Sequence, residues 1–516
     1  MGIASGLGAY VRLVRAGFIL AREGALSIAD NDAIPPVMRA GVRFGRLFER
    51  ADVRGSGRAE RLSAALHRLG PTYVKIGQTL ATRPDIVGAQ VAADLSVLQD
   101  KMEPFDPALV PGLLKDALGD KAAALTDISP PIAAASIAQV HKATLTNEDG
   151  RWTVAVKLLR PGIHQRFRAD IESQYAGARL AEALVPRLRR LRPIEIVEIL
   201  DRSARLELDL RMEAAAISEM SDNIKADTGF AIPKVMWDQT AGTVLTTSWV
   251  DGIPIRDLAA IDAAGIDRKV LAANLLQNFL RHTIRDGFFH ADLHPGNIFA
   301  DPKTNGIIAV DFGIMGRLGK RERRFLAEIL YGFITRNYRL IAERHFEIGY
   351  VPKNQSVDDF ALALRAIGEP QHGRLVSDIS MAKVLGQLFS TTELFQMRTR
   401  PELILLQKSM VLVEGVSRNI DPDLDIWTLS EPIVAEWVRR SAGPLGRLEA
   451  LKEGVDTAVE TLGRLPAILD KAEVALDDYD RQKRAPSTRF SRFMWVASFW
   501  LVAIALVTFI VRLMTL

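Results

Sequence analysis

His290-Ala291-Asp292-Leu293-His294-Pro295-Gly296-Asn297, followed by Val310-Asp311-Phe312-Gly313, places an Asp, an Asn and a second Asp in a fixed order. Phosphoryl transfer catalysed by positioning and metal electrostatics needs such a set: an Asp beside the attacking oxygen, an Asn on a metal, and an Asp bridging metal to phosphate. Asp292, Asn297 and Asp311 fill those places. Ile298-Phe299-Ala300 and Ile307-Ile308-Ala309-Val310 read as two short strands, folded onto each other by the turn from Asp301 to Gly306. That hairpin brings Asn297 back beside Asp311. Two oxygen ligands on one hard cation suit Mg²⁺ and leave positions for phosphate oxygens and water.

A kinase-like catalytic half requires an upstream strand lysine to grip the phosphates and a helical glutamate to hold that lysine. Thr153-Val154-Ala155-Val156-Lys157 matches the V-A-I-K strand with one conservative change. Downstream, Arg205 to Glu213 has a helical pattern and offers Glu207, Asp209 and Glu213, one of which is expected to pair with Lys157. Each signal is weak alone, since a snorkelling lysine or a run of helical acids is commonplace. Their joint order and spacing predict an α+β, two-lobed protein-kinase-like fold.

His290 and His294 flank Asp292 like a zinc pair, but Pro295-Gly296 directly after them argues for a loop rather than the helix face such a pair uses. His290 is expected to brace the loop through its ring nitrogens.

Ahead of the lysine strand, where a kinase has a Gly-rich loop, this chain reads Pro131-Ile132-Ala133-Ala134-Ala135-Ser136-Ile137-Ala138-Gln139-Val140. Each alanine methyl limits positive φ and holds the backbone farther from a ligand. Ile132, Ala133, Ala134, Ala135, Ser136 and Val140 are expected to line the nucleotide with Lys157. In the hinge, Thr246 to Gly252, Trp249 and Val250 are expected beside the adenine, and Ser248 stands where an acid is usual. Ala291 replaces the Arg of His-Arg-Asp, and no Ala-Pro-Glu follows Gly313, so an activation loop regulated by phosphorylation lacks its partner.

Far upstream, Leu69-Gly70-Pro71-Thr72-Tyr73-Val74-Lys75-Ile76-Gly77-Gln78 opens a helix that closes near Arg83-Pro84. Lys75-Ile76-Gly77-Gln78, Ala133 to Ser136, Glu207-Leu208-Asp209, the His290 to Asn297 stretch and Asp311-Phe312-Gly313 together resemble the UbiB family, the atypical, aarF-domain kinases of ubiquinone biosynthesis. The resemblance runs by motif from about Leu69 to about Gly319. It implies that Lys75 and Gln78 lie on an extension folded across the cleft where a peptide would otherwise sit. Glu207 and Asp209 would tie that extension to the nucleotide, and Glu213 would partner Lys157. Asp292 would be the catalytic base, with Asn297 and Asp311 on Mg²⁺ and ATP as the nucleotide. The family is associated with ATP hydrolysis in support of membrane-bound quinone-modifying enzymes. The partners so implied are a membrane lipid or prenylated quinone precursor and the ubiquinone-biosynthesis enzymes.

A chain of 516 residues, 48% hydrophobic, has ample core for two lobes and additional helices. The absence of cysteine excludes disulfides, thiolate metal sites and cysteine nucleophiles, and a net charge of +4 gives no footprint for nucleic acid. Phe493 to Val511 is free of charge and long enough to span a bilayer, and Arg481, Lys483, Arg484, Arg489 and Arg492 precede it. The positive-inside rule then predicts a bacterial inner-membrane protein with a single C-terminal span, a candidate homodimer contact, and a cytoplasmic catalytic body. Met1 to Leu26 is interrupted by Arg12, Arg15 and Arg22 and reads as an amphipathic helix on the membrane or against the kinase body.

The predicted organisation is a helical extension over 1–121, a small lobe over 122–251, a large lobe over 252–443, a helical linker over 444–492 and a transmembrane helix over 493–511. The functional expectation is a membrane-anchored, ATP-dependent atypical kinase or ATPase. Two alternatives are a small-metabolite phosphotransferase of the aminoglycoside or choline kinase type and a nucleotide-sensing scaffold without turnover. The Lys75 extension separates the first alternative, because a metabolite kinase needs an open cleft.

Overall fold

Val154, Val156 and Leu158 alternate with less buried neighbours, so residues 150–159 form a strand that puts one face into a core. In the computed structural model this strand, β4 (Gly150–Leu159), pairs antiparallel with β3 (Ala138–Asn147) in a register that sets Val140 opposite Lys157. β1 (Leu125–Thr126) and β2 (Pro131–Ala134) join β3, and β6 (Val244–Ser248) joins β4, completing a five-stranded antiparallel sheet. Its inner face packs Leu145, Val154, Val156, Leu158 and Val244 against Val110 and Leu114.

The structure describes residues 3–28, 47–53, 55–81, 89–95, 102–148, 150–184, 192–369 and 401–442, with a few isolated positions between them. The chain divides into two compact units, Met1–Val438 and Arg439–Leu516. The second lies outside the described residues beyond Ala442, and with it the linker expected over 444–492 and the span expected over 493–511. Among the described residues no helix is long and apolar enough to cross a membrane.

The N-terminal extension contributes α1 (Ile3–Arg22), α2 (Arg58–Leu69) and α3 (Pro71–Ala81). α3 opens on Pro71, whose missing N–H is no loss in a first turn, directly after Gly70 at φ 105°. Of the two seats expected for α1, the structure shows the kinase body: Arg12 Nε donates to the Ala169 carbonyl at 3.0 Å, within α4 (Ile163–Leu184). Two further helices, α5 (Pro193–Glu207) and α6 (Leu210–Asn223), with Asp209 between them, carry the acids expected near Lys157.

In the large lobe, the spacing of Leu271, Leu275, Leu276 and Phe279 predicts one helix from Lys269 to Asp286 with these four on one face, and α7 (Arg268–Arg281) buries all four. The sequence suggested one helix as far as Asp286; the chain instead makes a π-helical turn over His282–Asp286. That turn ends at Gly287, whose φ of 65° is readily adopted by glycine, and it carries Arg285, which clamps Asp227 at 2.6 and 2.8 Å. β8 (Phe288–His290) follows at once and pairs antiparallel with β11 (Met315–Arg317). β9 (Ile298–Asp301) and β10 (Gly306–Ala309) form the predicted hairpin, flanked by β7 (Ile253–Pro254) and by β5 (Phe230–Ala231).

Beyond the hairpin come α8 (Lys320–Ile334), α9 (Tyr338–Glu347), α10 (Val357–Gly368), α11 (Pro401–Ile420) and α12 (Ile426–Ala442). His345 on α9 is buried edge-on between Phe325 and Phe360, and its Nδ1–H donates to the Ile341 carbonyl at 2.8 Å. Burial lowers its pKa to about 4, from an ordinary 6.5. The folded chain therefore keeps a neutral ring while the unfolded chain takes up a proton. Stability is complete above the unfolded value and falls as pH drops from 6.5 toward 4, by up to about 3 kcal/mol from this group alone. In denaturant melts the stability of the native chain relative to His345→Phe should fall by that amount between pH 6.5 and pH 4; a difference that does not change with pH would contradict this origin.

Candidate active site

β8 and β11 hold the start of the loop that carries Asp292: Ala291 N–H donates to the Ile314 carbonyl at 3.0 Å. On the other side Ser409 Oγ, from α11, donates to the Ala291 carbonyl at 3.2 Å. The position where a protein kinase has an arginine is thus an alanine whose backbone is gripped from both sides.

His290 is buried, and both of its ring nitrogens are engaged. Nδ1 accepts the Asp292 N–H at 3.1 Å, so Nε2 carries the hydrogen and donates to the Val310 carbonyl at 3.1 Å. Burial pushes its pKa below the ordinary value, which keeps the ring in this neutral form. The histidine ties the Asp292 loop to the strand end that carries Asp311, and Phe312 packs edge-on against it at 4.9 Å.

Asn297 is fixed by three hydrogen bonds. Its N–H donates to the His294 carbonyl at 2.9 Å, its carbonyl accepts the Val310 N–H at 2.9 Å, and its Nδ2 donates to the Asp292 carbonyl at 3.1 Å. With the amide nitrogen used, Oδ1 is the atom left for a cation. Asp311 follows Val310 directly and has a φ of 63°, a left-handed conformation that Asp tolerates at modest cost.

Lys157 reaches across from the small-lobe sheet. Its ammonium donates to Glu213 Oε1 and Oε2 at 3.0 and 2.8 Å and to Asp311 Oδ1 at 2.9 Å. Of the three acids left open by the sequence, Glu213, in the first turn of α6, is the one that pairs. Burial alone would lower the Lys157 pKa, but Asp311 and then Glu213 outweigh it and raise it. Burial raises Glu213, Lys157 pulls it back and the charge on Asp311 adds to the rise. Burial also acts to raise Asp311, yet Lys157, with a contribution from Lys75, holds it well below the usual carboxylate range. An ionised carboxylate beside an amide held by the adjacent strand is a hard-oxygen donor set that fits Mg²⁺.

Lys75 projects from α3 and pairs with Glu207 Oε2 at 2.8 Å, both side chains being largely shielded. Gln78 lies a turn further along the same helix, half-buried. The glycine between them has a packing reason: a Cβ on Gly77 would stand 2.5 Å from Leu98 Cδ1 and 2.7 Å from Leu66 Cδ1. Asp209 is not brought to Lys75. It caps α6 through the Arg211 N–H and pairs with the Arg211 guanidinium at 2.6 Å.

The alanine segment is the end of β2, a tight turn and the start of β3, with Ala133 opposite Val140 and Ala134 opposite Gln139. No residue from 131 to 140 has a positive φ, so the turn is one that alanine can make. Ser136 is buried, whereas Ile132 and Ala133 are exposed. At the hinge, Trp249 N–H donates to the Thr153 carbonyl at 3.0 Å and is therefore spent within the sheet. Lys142 lies 4.7 Å above the Trp249 ring. Ser248, where an acid was expected, accepts the Lys234 N–H through Oγ at 2.9 Å.

Sequence reasoning missed several residues of this neighbourhood. Phe299 packs against Gly252 at the end of the hinge, Ser409 holds the Asp292 loop, and Arg160, Gln139 and His141 brace the alanine turn.

Comparison with known proteins gives a consistent likeness. The ABC1 atypical kinase-like domain model matches residues 97–345, and the UbiB helical domain model matches residues 364–425. A Marinobacter nauticus protein named "Probable protein kinase UbiB" is 39% identical over 420 residues, covering 80% of this chain and 76% of its own. A Xanthomonas axonopodis pv. citri protein of the same name is 40% identical over 432 residues, covering 82% and 76%. Among solved structures, the Rv3197–erythromycin complex from Mycobacterium tuberculosis overlaps with a TM-score of 0.48 at 22% identity, covering 73% of this chain and 95% of that one.

Proposed function

Because this chain belongs to the UbiB branch of the ABC1 atypical kinase-like family, we propose that it is a membrane-anchored, Mg²⁺-dependent ATPase or atypical kinase that supports ubiquinone synthesis. The observation that carries this reading is the Lys157 ammonium, held between Glu213 and Asp311 while the strand beside Asp311 fixes Asn297. Lys157 would grip the nucleotide phosphates, with Glu213 keeping it in place. Asp311 and Asn297 would hold the cation. When bound, Mg²⁺ supplies charge neutralisation for the phosphates. Asp292, on a loop fixed by His290, Asn297 and Ser409, would take the proton of the attacking hydroxyl or water. Ile132 to Ser136 and Val140 would cover the nucleotide from above, with Trp249 and Val250 beside the adenine.

Lys75 and Gln78, on the extension proposed for residues 1–121, would lie across the acceptor side of the cleft. The Lys75–Glu207 pair supports that placement and counts against an open metabolite kinase. The small and large lobes are taken as 122–251 and 252–443. The apolar run 493–511 would anchor the body to the bacterial inner membrane beside a prenylated lipid and the enzymes that modify it, with a second copy as a candidate neighbour.

Phosphate release from ATP by the full chain in detergent tests the catalytic part of the proposal. Hydrolysis should disappear in EDTA and return with added Mg²⁺; turnover that persists in EDTA would overturn the metal assignment.

A further inference from the structure

The alanine turn has its backbone carbonyls taken up by residues that flank it in space. Arg160, the residue after β4, donates from Nε and Nη2 to the Ala135 carbonyl at 3.1 and 2.9 Å, and from Nη2 to the Glu103 carbonyl at 2.7 Å. Its own N–H donates to the Ile137 carbonyl at 2.8 Å, and Met102 N–H donates to the Ala134 carbonyl at 3.2 Å. A second brace lies at the base of the turn. The Gln139 side chain, fully buried, accepts the Phe105 N–H at 3.0 Å and donates to His141 Nε2 at 2.9 Å. The Nδ1–H of His141 then donates to the Ser129 carbonyl at 2.8 Å. The segment around residues 102–105 is thereby sewn to the turn and its base.

A guanidinium carries its donors in one rigid plane, so two carbonyls on the same fork are held at a fixed separation. A glycine-rich loop can drop onto the phosphates beneath it; a turn of alanines, strapped at Ala134 and Ala135, cannot. ATP and ADP differ only in the terminal phosphoryl group, which is the part a loop tip reaches by closing. The height of the turn is therefore a discriminator between them.

We propose that Arg160 is the positioning residue that sets this height and, through it, the relative affinity for nucleoside triphosphate and diphosphate. The proposal rests on the reading above that the alanine turn covers a nucleotide. Removing the strap frees the turn to close on a terminal phosphoryl group. Affinity for ATP should then rise relative to ADP. Lysine at 160 keeps the charge but not the fork, and should fall between arginine and an uncharged residue.

The test is displacement of a fluorescent nucleotide from the full chain in detergent by Mg-ATP and by Mg-ADP, for the native protein, Arg160→Lys and Arg160→Gln. The ratio of the ADP to the ATP dissociation constant should rise at least about threefold in Arg160→Gln, with KM for ATP moving more than kcat. An unchanged ratio in a folded Arg160→Gln protein overturns the proposal. Hydrogen exchange over residues 131–138 provides a second reading that survives poor folding of the glutamine variant. The Ala135 amide, bonded to the Ala138 carbonyl at 2.8 Å, should exchange faster in Arg160→Lys, and native-like exchange there overturns the strap. A native chain that binds neither nucleotide would defeat the functional reading instead, and the exchange result would still decide whether Arg160 holds the turn.

Discussion

Asp311→Asn should lower ATP hydrolysis by at least about a hundredfold, the scale on which one preorganised electrostatic group contributes to a transition state. The change is nearly isosteric and removes one charge. In the native chain the Asp311 carboxylate is ionised well below neutral pH, since the Lys157 ammonium lies 2.9 Å away and outweighs the cost of burial. An amide there keeps an oxygen for a cation but contributes no net charge. The variant should nevertheless fold, because Lys157 retains Glu213 at 2.8 Å and is not left as an unpaired buried ammonium. Relief of the Asp311 charge also removes one of the influences that push Glu213 upward. The measurement is single-turnover phosphate release beside a thermal melt. Loss of turnover with a native-like melt is the expected pair of results, and turnover within threefold of native would remove Asp311 from the chemistry.

Lys75→Met should act in the opposite direction and raise hydrolysis or autophosphorylation roughly tenfold, equivalent to about 1.4 kcal/mol of barrier. Lys75 is held by Glu207 at 2.8 Å, on a helix that Gly77 allows to sit close against Leu66 and Leu98. Its charge contributes to lowering the Asp311 pKa, so it acts on the same carboxylate that would hold the metal. Methionine keeps the length and apolar stem of lysine while removing the ammonium. If Lys75 occupies the acceptor side of the cleft, its loss opens a path to water or to the chain's own hydroxyls. Glu207→Gln, which loosens the same pair from the other end, should give a smaller rise. Unchanged or lower activity in a folded Lys75→Met protein would mean that the extension serves binding rather than occlusion.

The parts of this site that were legible in the sequence are those whose partners lie close in the chain or whose chemistry requires one residue type. The β9–β10 hairpin follows from two apolar runs around a turn of Asp, Pro, Asn and Gly, and it alone brings Asn297 to the strand that carries Asp311. The choice of Glu213 over Glu207 and Asp209 was not open to periodicity. All three lie in one acidic stretch, and the break between α5 and α6, with Asp209 as a cap, decides which of them faces Lys157. Arg160 was invisible for a different reason. What it binds is backbone carbonyl, which every residue has, so no side-chain pattern reports it. The same holds for Ser409, which approaches Ala291 from a helix more than a hundred residues downstream. The π-helical turn before β8 was read as ordinary helix, because its composition fits either geometry.

Ubiquinone content, measured by mass spectrometry in a strain lacking this gene and complemented with the native chain or with Asp311→Asn, tests the central claim most directly. The account predicts loss of ubiquinone in the deletion strain, restored by the native chain and not by the variant. Unchanged ubiquinone in the deletion strain, with no second copy of the gene present, would contradict it.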